Sequence, residues 1–225
     1  MFNVVCIIPA RSGSKRLKNK NLLLINQKSL IQHAVDFASV IYSNKIIFSS
    51  DSEKYYESLS SAKEIIYHHR SKLTSSDNST DYDLLNELVD NKFISLKDIV
   101  VWLRPTSPIR NKDECNAAIK LLIDSKNLNS VRSIQKVQQH PYWMKIIKEE
   151  NKLIPLITNK DEGNFPNSQS LPNVFFPTCE FDIARVSSVI EQKKLISEPI
   201  GSIITQKEST DINNTAKKFI AIFFI

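Results

Sequence analysis

Short apolar runs rich in β-branched residues alternate with amphipathic stretches through the first half of the chain. NVVCIIP (3–9) predicts a buried strand, and SLIQHAVDFASV (29–40) a helix with Ser29 as its N-cap. NKIIFSS (44–50) is the next strand, with Asp51 or Ser52 placed to cap the helix after it. EIIYHH (64–69) then reads as a strand, DYDLLNELVDN (81–91) as a helix and DIVVWLRP (98–105) as a strongly apolar strand. KDECNAAIKLLIDS (112–125) is a helix, with Ala118, Leu121 and Leu122 at helical spacing. This alternation predicts an α/β fold whose parallel sheet is covered on both faces.

After about Asn129 the rhythm changes. SVRSIQKV, YWMKIIKE and KLIPLIT are strand-like pieces at hairpin spacing, followed by the polar loop NKDEGNFPNSQSLPN. VFFPTCEFDIA predicts another strand, RVSSVIEQ a short helix, SIITQ a strand and NNTAKKFIA a closing helix. Residues 129–180 read as a β-rich insertion projecting from the main sheet, within one domain spanning 1–225.

The loops after the predicted strands hold the unusual chemistry. ARSGSKRLKNKN follows the first strand, SSDSE the second, RSKLTSSDNSTD the third and RPTSPIR the fourth. In an open α/β sheet such loops gather at the carboxyl edge, where ligands bind. The first loop packs Arg11, Lys15, Arg16, Lys18 and Lys20 into ten positions. It has neither Walker nor dinucleotide-binding spacing, so two readings stand: a phosphate-binding loop, with Arg as a planar fork and Lys as a movable charge, or a solvated basic loop. Lys15, Arg16 and Lys18 read as rim or interface charges.

Composition narrows the options. A formal charge of +6 leans towards an anionic partner, yet no basic stripe interleaved with aromatics supports nucleic acid. Cys6, Cys115 and Cys179 are widely spaced and support neither a disulfide framework nor a zinc site. His68 and His69 read as strand-end residues. The sequence shows neither a signal peptide nor an apolar run of membrane-spanning length, so a cytoplasmic protein without a membrane partner is expected.

IIPARSGSKRLKNKN (7–21) closely resembles the signature of the CMP-sugar synthetases, the acylneuraminate cytidylyltransferase family. WLRPTSPIR (102–110) resembles that family's strand ending in Leu-Gln-Pro-Thr-Ser-Pro-Leu-Arg. Arg70 with Asp77 resembles its Arg-Pro…Asp element, QSLPNVFFP its Gln-x-Leu-Pro segment, and STDIN its closing Asp-x-Asp. The resemblance implies a three-layer, nucleotide-diphospho-sugar transferase-like (Rossmann-like) α/β fold. Its mostly parallel sheet would carry a projecting β-rich dimerisation arm, in a homodimer. The implied reaction moves CMP from CTP to a 2-keto-3-deoxy acid sugar, an acylneuraminate or other nonulosonic acid. It releases pyrophosphate, uses Mg²⁺ and serves surface glycan synthesis in capsule or lipopolysaccharide.

By position the resemblance assigns Arg11 and Lys20 to the triphosphate, and Ala10, Ser14 and Asn21 to the nucleotide. Arg70 falls to cytosine or phosphates, Ser79 to the ribose, and Arg104 to the base. Asp211 is the catalytic Mg²⁺ ligand with Asn213 beside it, and Gln169, Thr178 and Asp182 face the sugar. Arg70 as a surface cation and Asp211 as a helix cap are the plainer alternatives.

The departures fall on the base, metal and sugar. Arg104 replaces a Gln and cannot accept from an exocyclic amine, and Asn213 replaces an Asp. Ser168 stands where the family has Arg, Phe176-Pro177-Thr178-Cys179 where it has Arg-Pro-Asn-Gly, and Asp182 where it has Tyr. Arg132, Lys145 and Arg185 are the cations left for an acidic sugar. A same-fold nucleotidyltransferase with another nucleotide or acceptor, and a silent nucleotide-binding relative, remain alternatives.

Overall fold

The computed structural model describes residues 2–13, 17, 19–158, 168–206 and 212. In chain order the elements are β1 (Val4–Pro9), β2 (Leu24–Ile25), β3 (Lys28–Ser29), α1 (Leu30–Val40), β4 (Lys45–Ser50) and α2 (Glu53–Glu57). There follow β5 (Ile65–His69), α3 (Asp81–Asp90), β6 (Ile99–Trp102), α4 (Lys112–Asp124) and β7 (Ser130–Lys136). The last are β8 (Lys145–Lys148), β9 (Lys152–Pro155), β10 (Phe175–Arg185), α5 (Val186–Gln192) and β11 (Ile200–Ile204).

Seven strands form the main sheet in the order β11-β7-β10-β6-β1-β4-β5. β1 is parallel to β4 and β6, β4 to β5, and β11 to β7. Among the described strands of this sheet β10 alone runs antiparallel, between β6 and β7. Among the described residues no α-helix separates β7 from β10. A parallel neighbour needs a crossover, so the returning chain pairs antiparallel.

Alternation along β1 builds three layers. Val4, Cys6 and Ile8 face a core that includes Ile31, Val35 and Ala38 of α1 and Ala118, Ile119 and Leu122 of α4. Val5 and Ile7 face the opposite core with Leu84, Leu85 and Leu88 of α3 and Val189 of α5. A strand buried on both faces reads as a continuous apolar run, which is why VVCII carries no polar residue.

Ser29 and Ser52 take the N-cap positions of α1 and α2 as expected. Ser29 accepts from the Gln32 amide at 3.2 Å. Asp51 caps nothing; it accepts from the Ser12 amide and hydroxyl at 2.7 and 2.9 Å. Thr106 and Ser107 of the Pro-Thr-Ser-Pro turn precede α4, but Asn111 caps it, because Pro108 disfavours a helical conformation at the residue before it and delays the helix.

The 129–180 insertion is narrower than its sequence suggested. Its ends, β7 and β10, are main-sheet strands; the β8–β9 hairpin forms a separate two-stranded sheet. The closing helix expected at 213–221 lies outside the described residues. Among the described residues no helix is long and apolar enough to cross a membrane.

Candidate active site

A cleft of about 350 Å³ opens at the carboxyl ends of β1, β5 and β6, within the range of small-molecule sites. The loop after β1 contributes Arg11, Lys20 and Asn21, and the loop after β5 contributes Arg70, Ser76 and Ser79. The start of α3 adds Thr80 and Asp81, and the turn after β6 adds Arg104, Pro105 and Thr106. Three of the four loops singled out in the sequence meet here. The fourth, after β4, braces the first through Asp51 and Ser12.

The basic loop is tied down from beneath. The Ala10 amide donates to the Ser49 carbonyl at 2.9 Å, and the Ser50 hydroxyl donates to the Ala10 carbonyl at 2.7 Å. Asn21, buried, donates from its side chain to the Arg11 carbonyl at 2.9 Å, so this residue holds loop shape. Arg11 itself bonds Asp77 at 2.9 Å and the Ser76 carbonyl at 3.0 Å. That pair is about two-fifths exposed on each side, where an ion pair is weak and an arriving polyanion competes well.

Arg70 is no surface cation: it is buried and donates to the Thr74 carbonyl. Burial lowers its pKa, against the pull of Asp51 and Glu87. The turn it grips is fixed from α3 by Glu87, which accepts from the Ser71 amide and hydroxyl and the Thr74 hydroxyl at 2.6–3.0 Å. The buried His68 stands against Glu87 at 3.2 Å and against the Ser49 hydroxyl at 2.9 Å. Desolvation depresses its pKa although Glu87 raises it, so a neutral imidazole at neutral pH completes this support.

Arg104 is fixed by two carboxylates, Asp182 at 2.6 Å and Asp81 at 2.5 Å. Burial alone would lower its pKa, but Asp81 and Asp182 outweigh it and raise it. Below lies Arg110, whose side chain donates to the carbonyls of Glu180 and Arg104 at 2.7 and 2.5 Å. Its burial draws the guanidinium down to about 10. Burial pushes the neighbouring Glu180 carboxyl up to about 7, Glu114 adding to the rise and Thr205, Arg110 and Thr178 opposing it.

Of the residues assigned by position, Arg11, Lys20, Asn21, Arg70, Ser79 and Arg104 line the cleft, and Ala10 lies under it. Gln169 is exposed, and Thr178 and Asp182 are buried in β10; none lines the cleft. Ser14, Asp211 and Asn213 lie outside the described residues. Ile212, between the last two, is buried with Ile25 and Leu30, and its amide donates to the cleft-lining Thr106 carbonyl at 2.7 Å. Sequence alone does not pick out Ser76, Thr80, Asp81 or Arg110. A polar helix start directly after a strand-end loop was the available signal for Thr80 and Asp81.

Comparison with known proteins agrees with this geometry. The chain is 27% identical over 220 residues to the N-acylneuraminate cytidylyltransferase of Streptococcus agalactiae serotype V, covering 97% of this chain and 52% of that protein. It thus spans about half the length of that relative. It is also 27% identical to the CMP-N,N'-diacetyllegionaminic acid synthase of Legionella pneumophila, covering 94% of this chain and 91% of that one. In fold it is similar to a CMP:2-keto-3-deoxy-manno-octonic acid synthetase solved with CTP, with a TM-score of 0.67 at 17% identity and 98% coverage of both chains. A second neighbour is the Francisella tularensis 2-C-methyl-D-erythritol 4-phosphate cytidylyltransferase, with a TM-score of 0.68 at 15% identity, covering 99% and 100% of the two chains. The family model for cytidylyltransferases matches residues 5–148, the stretch that builds the cleft, and the chain belongs to that family.

Proposed function

We propose that this protein is a cytidylyltransferase that moves CMP from CTP to a 2-keto-3-deoxy acid sugar. The observation that carries the reading is the convergence of Arg11, Lys20 and Arg70 on one cleft at the carboxyl edge of the sheet. An acceptor hydroxyl attacks the α-phosphorus, the bond to the bridging oxygen breaks and pyrophosphate leaves. Such chemistry needs alignment and charge neutralisation more than covalent help. Arg11 and Lys20 hold the triphosphate, Arg70 backs it from the floor, and Asn21 keeps the loop in shape.

A magnesium ion would be held by Asp211 and Asn213, hard oxygen donors that suit it. Supporting this is Ile212, the residue joining them, whose amide is bonded to the rim of the cleft. When bound, the ion would draw charge from the phosphates. The β8–β9 hairpin exposes Ile146, Ile147 and Leu153. An isolated two-stranded ribbon is marginal in water, so these exposed apolar side chains favour the homodimer reading, in which a second copy would cover them.

The test is calorimetric titration of CTP, UTP, GTP and ATP, with and without Mg²⁺, into the wild type and Arg11→Ala. The expected result is Mg²⁺-dependent preference for CTP, with Arg11→Ala binding about 10-fold or more weakly while its Tm stays nearly unchanged. Preference for another nucleotide would instead favour a same-fold enzyme of different specificity, a reading kept open by the doubly paired Arg104. Binding of none would leave a silent relative.

A further inference from the structure

We propose that Arg132 receives the carboxylate of the acceptor and thereby sets acceptor class, with Asp182 as the residue that positions it. The assignment rests on the reading that this cleft transfers CMP to an acidic sugar.

Asp182 of β10 sits in register opposite Trp102 of β6 on one side and Arg132 of β7 on the other. It is fully buried, and its two oxygens face two cations. One accepts from Arg104 at 2.6 Å, and the other lies 3.2 Å from the Arg132 Nε, off line for a hydrogen bond. Charges therefore alternate in a row, Asp81, Arg104, Asp182, Arg132. Arg104 is compensated from both ends. Arg132 is neighboured by a single corner of a carboxylate that Arg104 already holds.

The terminal nitrogens of Arg132 make no hydrogen bond to any described residue, and its side chain is about a quarter exposed. A half-buried guanidinium with an open edge is a matched receptor for a carboxylate, which can accept two parallel N–H bonds from it. Partial burial strengthens that attraction relative to water.

The other two cations suited to an acidic sugar are placed differently. Arg185 spends its guanidinium on the carbonyls of Leu122, Ser125 and Leu128 at 2.6–3.1 Å. Lys145 lies on the β8–β9 hairpin, outside the main sheet. Strand order adds a spacing argument. β7 is three strands from β1, about 14 Å at the usual strand separation. That separates Arg132 from the triphosphate cations by roughly the span an acceptor sugar and the α-phosphate would fill.

The experiment is steady-state kinetics of the wild type, Arg132→Gln and Arg132→Lys with CTP. The acceptors are an N-acylneuraminate, 3-deoxy-manno-octulosonate and the carboxamide of each. The expected result is an acceptor KM raised about 10–100-fold in Arg132→Gln, with the KM for CTP within about twofold of wild type. Arg132→Lys should recover part of the loss, because it keeps the charge without the fork. The wild type should prefer acid over amide, and Arg132→Gln should lose that preference.

An Arg132→Gln enzyme that still prefers the acid, or whose KM for CTP rises as far as its acceptor KM, overturns the assignment. If that variant fails to fold, the amide series on the wild type decides: equal use of acid and amide overturns it. A wild type that binds CTP but transfers to neither acid overturns the transferase reading itself, and is told apart by the intact CTP titration.

Discussion

Cys179 stands at φ 60° in the bulge of β10, between Pro177, which pairs with Ile134, and Asp182, which pairs with Arg132. A side chain in that left-handed region meets the following carbonyl, at a cost of about 1–2 kcal/mol. The related motif carries Gly at this position, and the structure supplies the reason. Cys179→Gly should therefore raise the free energy of unfolding by about 0.5–1 kcal/mol after the extra chain entropy of Gly is counted. Urea denaturation reads this directly, and a loss of stability would show that contacts of the thiol outweigh the backbone term. The family resemblance singled out Arg11 and Arg70, and both line the cleft. Arg132 was visible only as one of three cations, since its partner Asp182 is 50 positions away in the chain.

At the scale of elements, the N-terminus of α3 joins local sequence to the site. Thr80 accepts from the Asp83 amide at 3.2 Å, and the Asp83 carboxylate accepts from the Thr80 amide at 2.7 Å. This reciprocal box closes the helix start, and Asp81, the first helical residue, pairs there with Arg104. Thr80→Ala should cost about 1 kcal/mol and loosen Asp81 from Arg104. The check is paired: urea denaturation for stability, and the acceptor KM for the row beyond Arg104. A change in neither would mean that packing of Leu84, Leu85 and Leu88 holds the helix end without its cap. The helices and buried strands were legible because their periods, 3.6 and an unbroken apolar run, are written locally. Ser52 stands at the N-cap of α2 as one of the two expected residues, while Asp51 is drawn to Ser12 across the sheet and the Pro108 turn delays the cap of α4 to Asn111.

For the whole molecule, Glu180 is one group through which pH reaches the fold. Its carboxyl is raised to about 7, first by burial, so the folded chain holds a proton that the unfolded chain releases near pH 4.5. Below that pH both states are protonated and the group contributes nothing. Between about pH 4.5 and 7 the unfolded state ionises first and stability falls; above 7 the whole penalty, on the order of 3 kcal/mol, is present. Glu180→Gln should therefore gain stability over wild type at pH 8 relative to pH 5, as read by denaturant melts at both. An unchanged difference would place Glu180 ionised at both values. The sequence by itself determined the α/β layering, the strands of the sheet and the basic loop at its edge, because apolar periodicity and clustered like charge are local properties. Tertiary structure alone decided which strand runs backwards, which carboxylates neutralise Arg104 and which cation keeps an open edge. Those depend on register between β6, β10 and β7, where burial makes each charge choose a partner that no sequence spacing names.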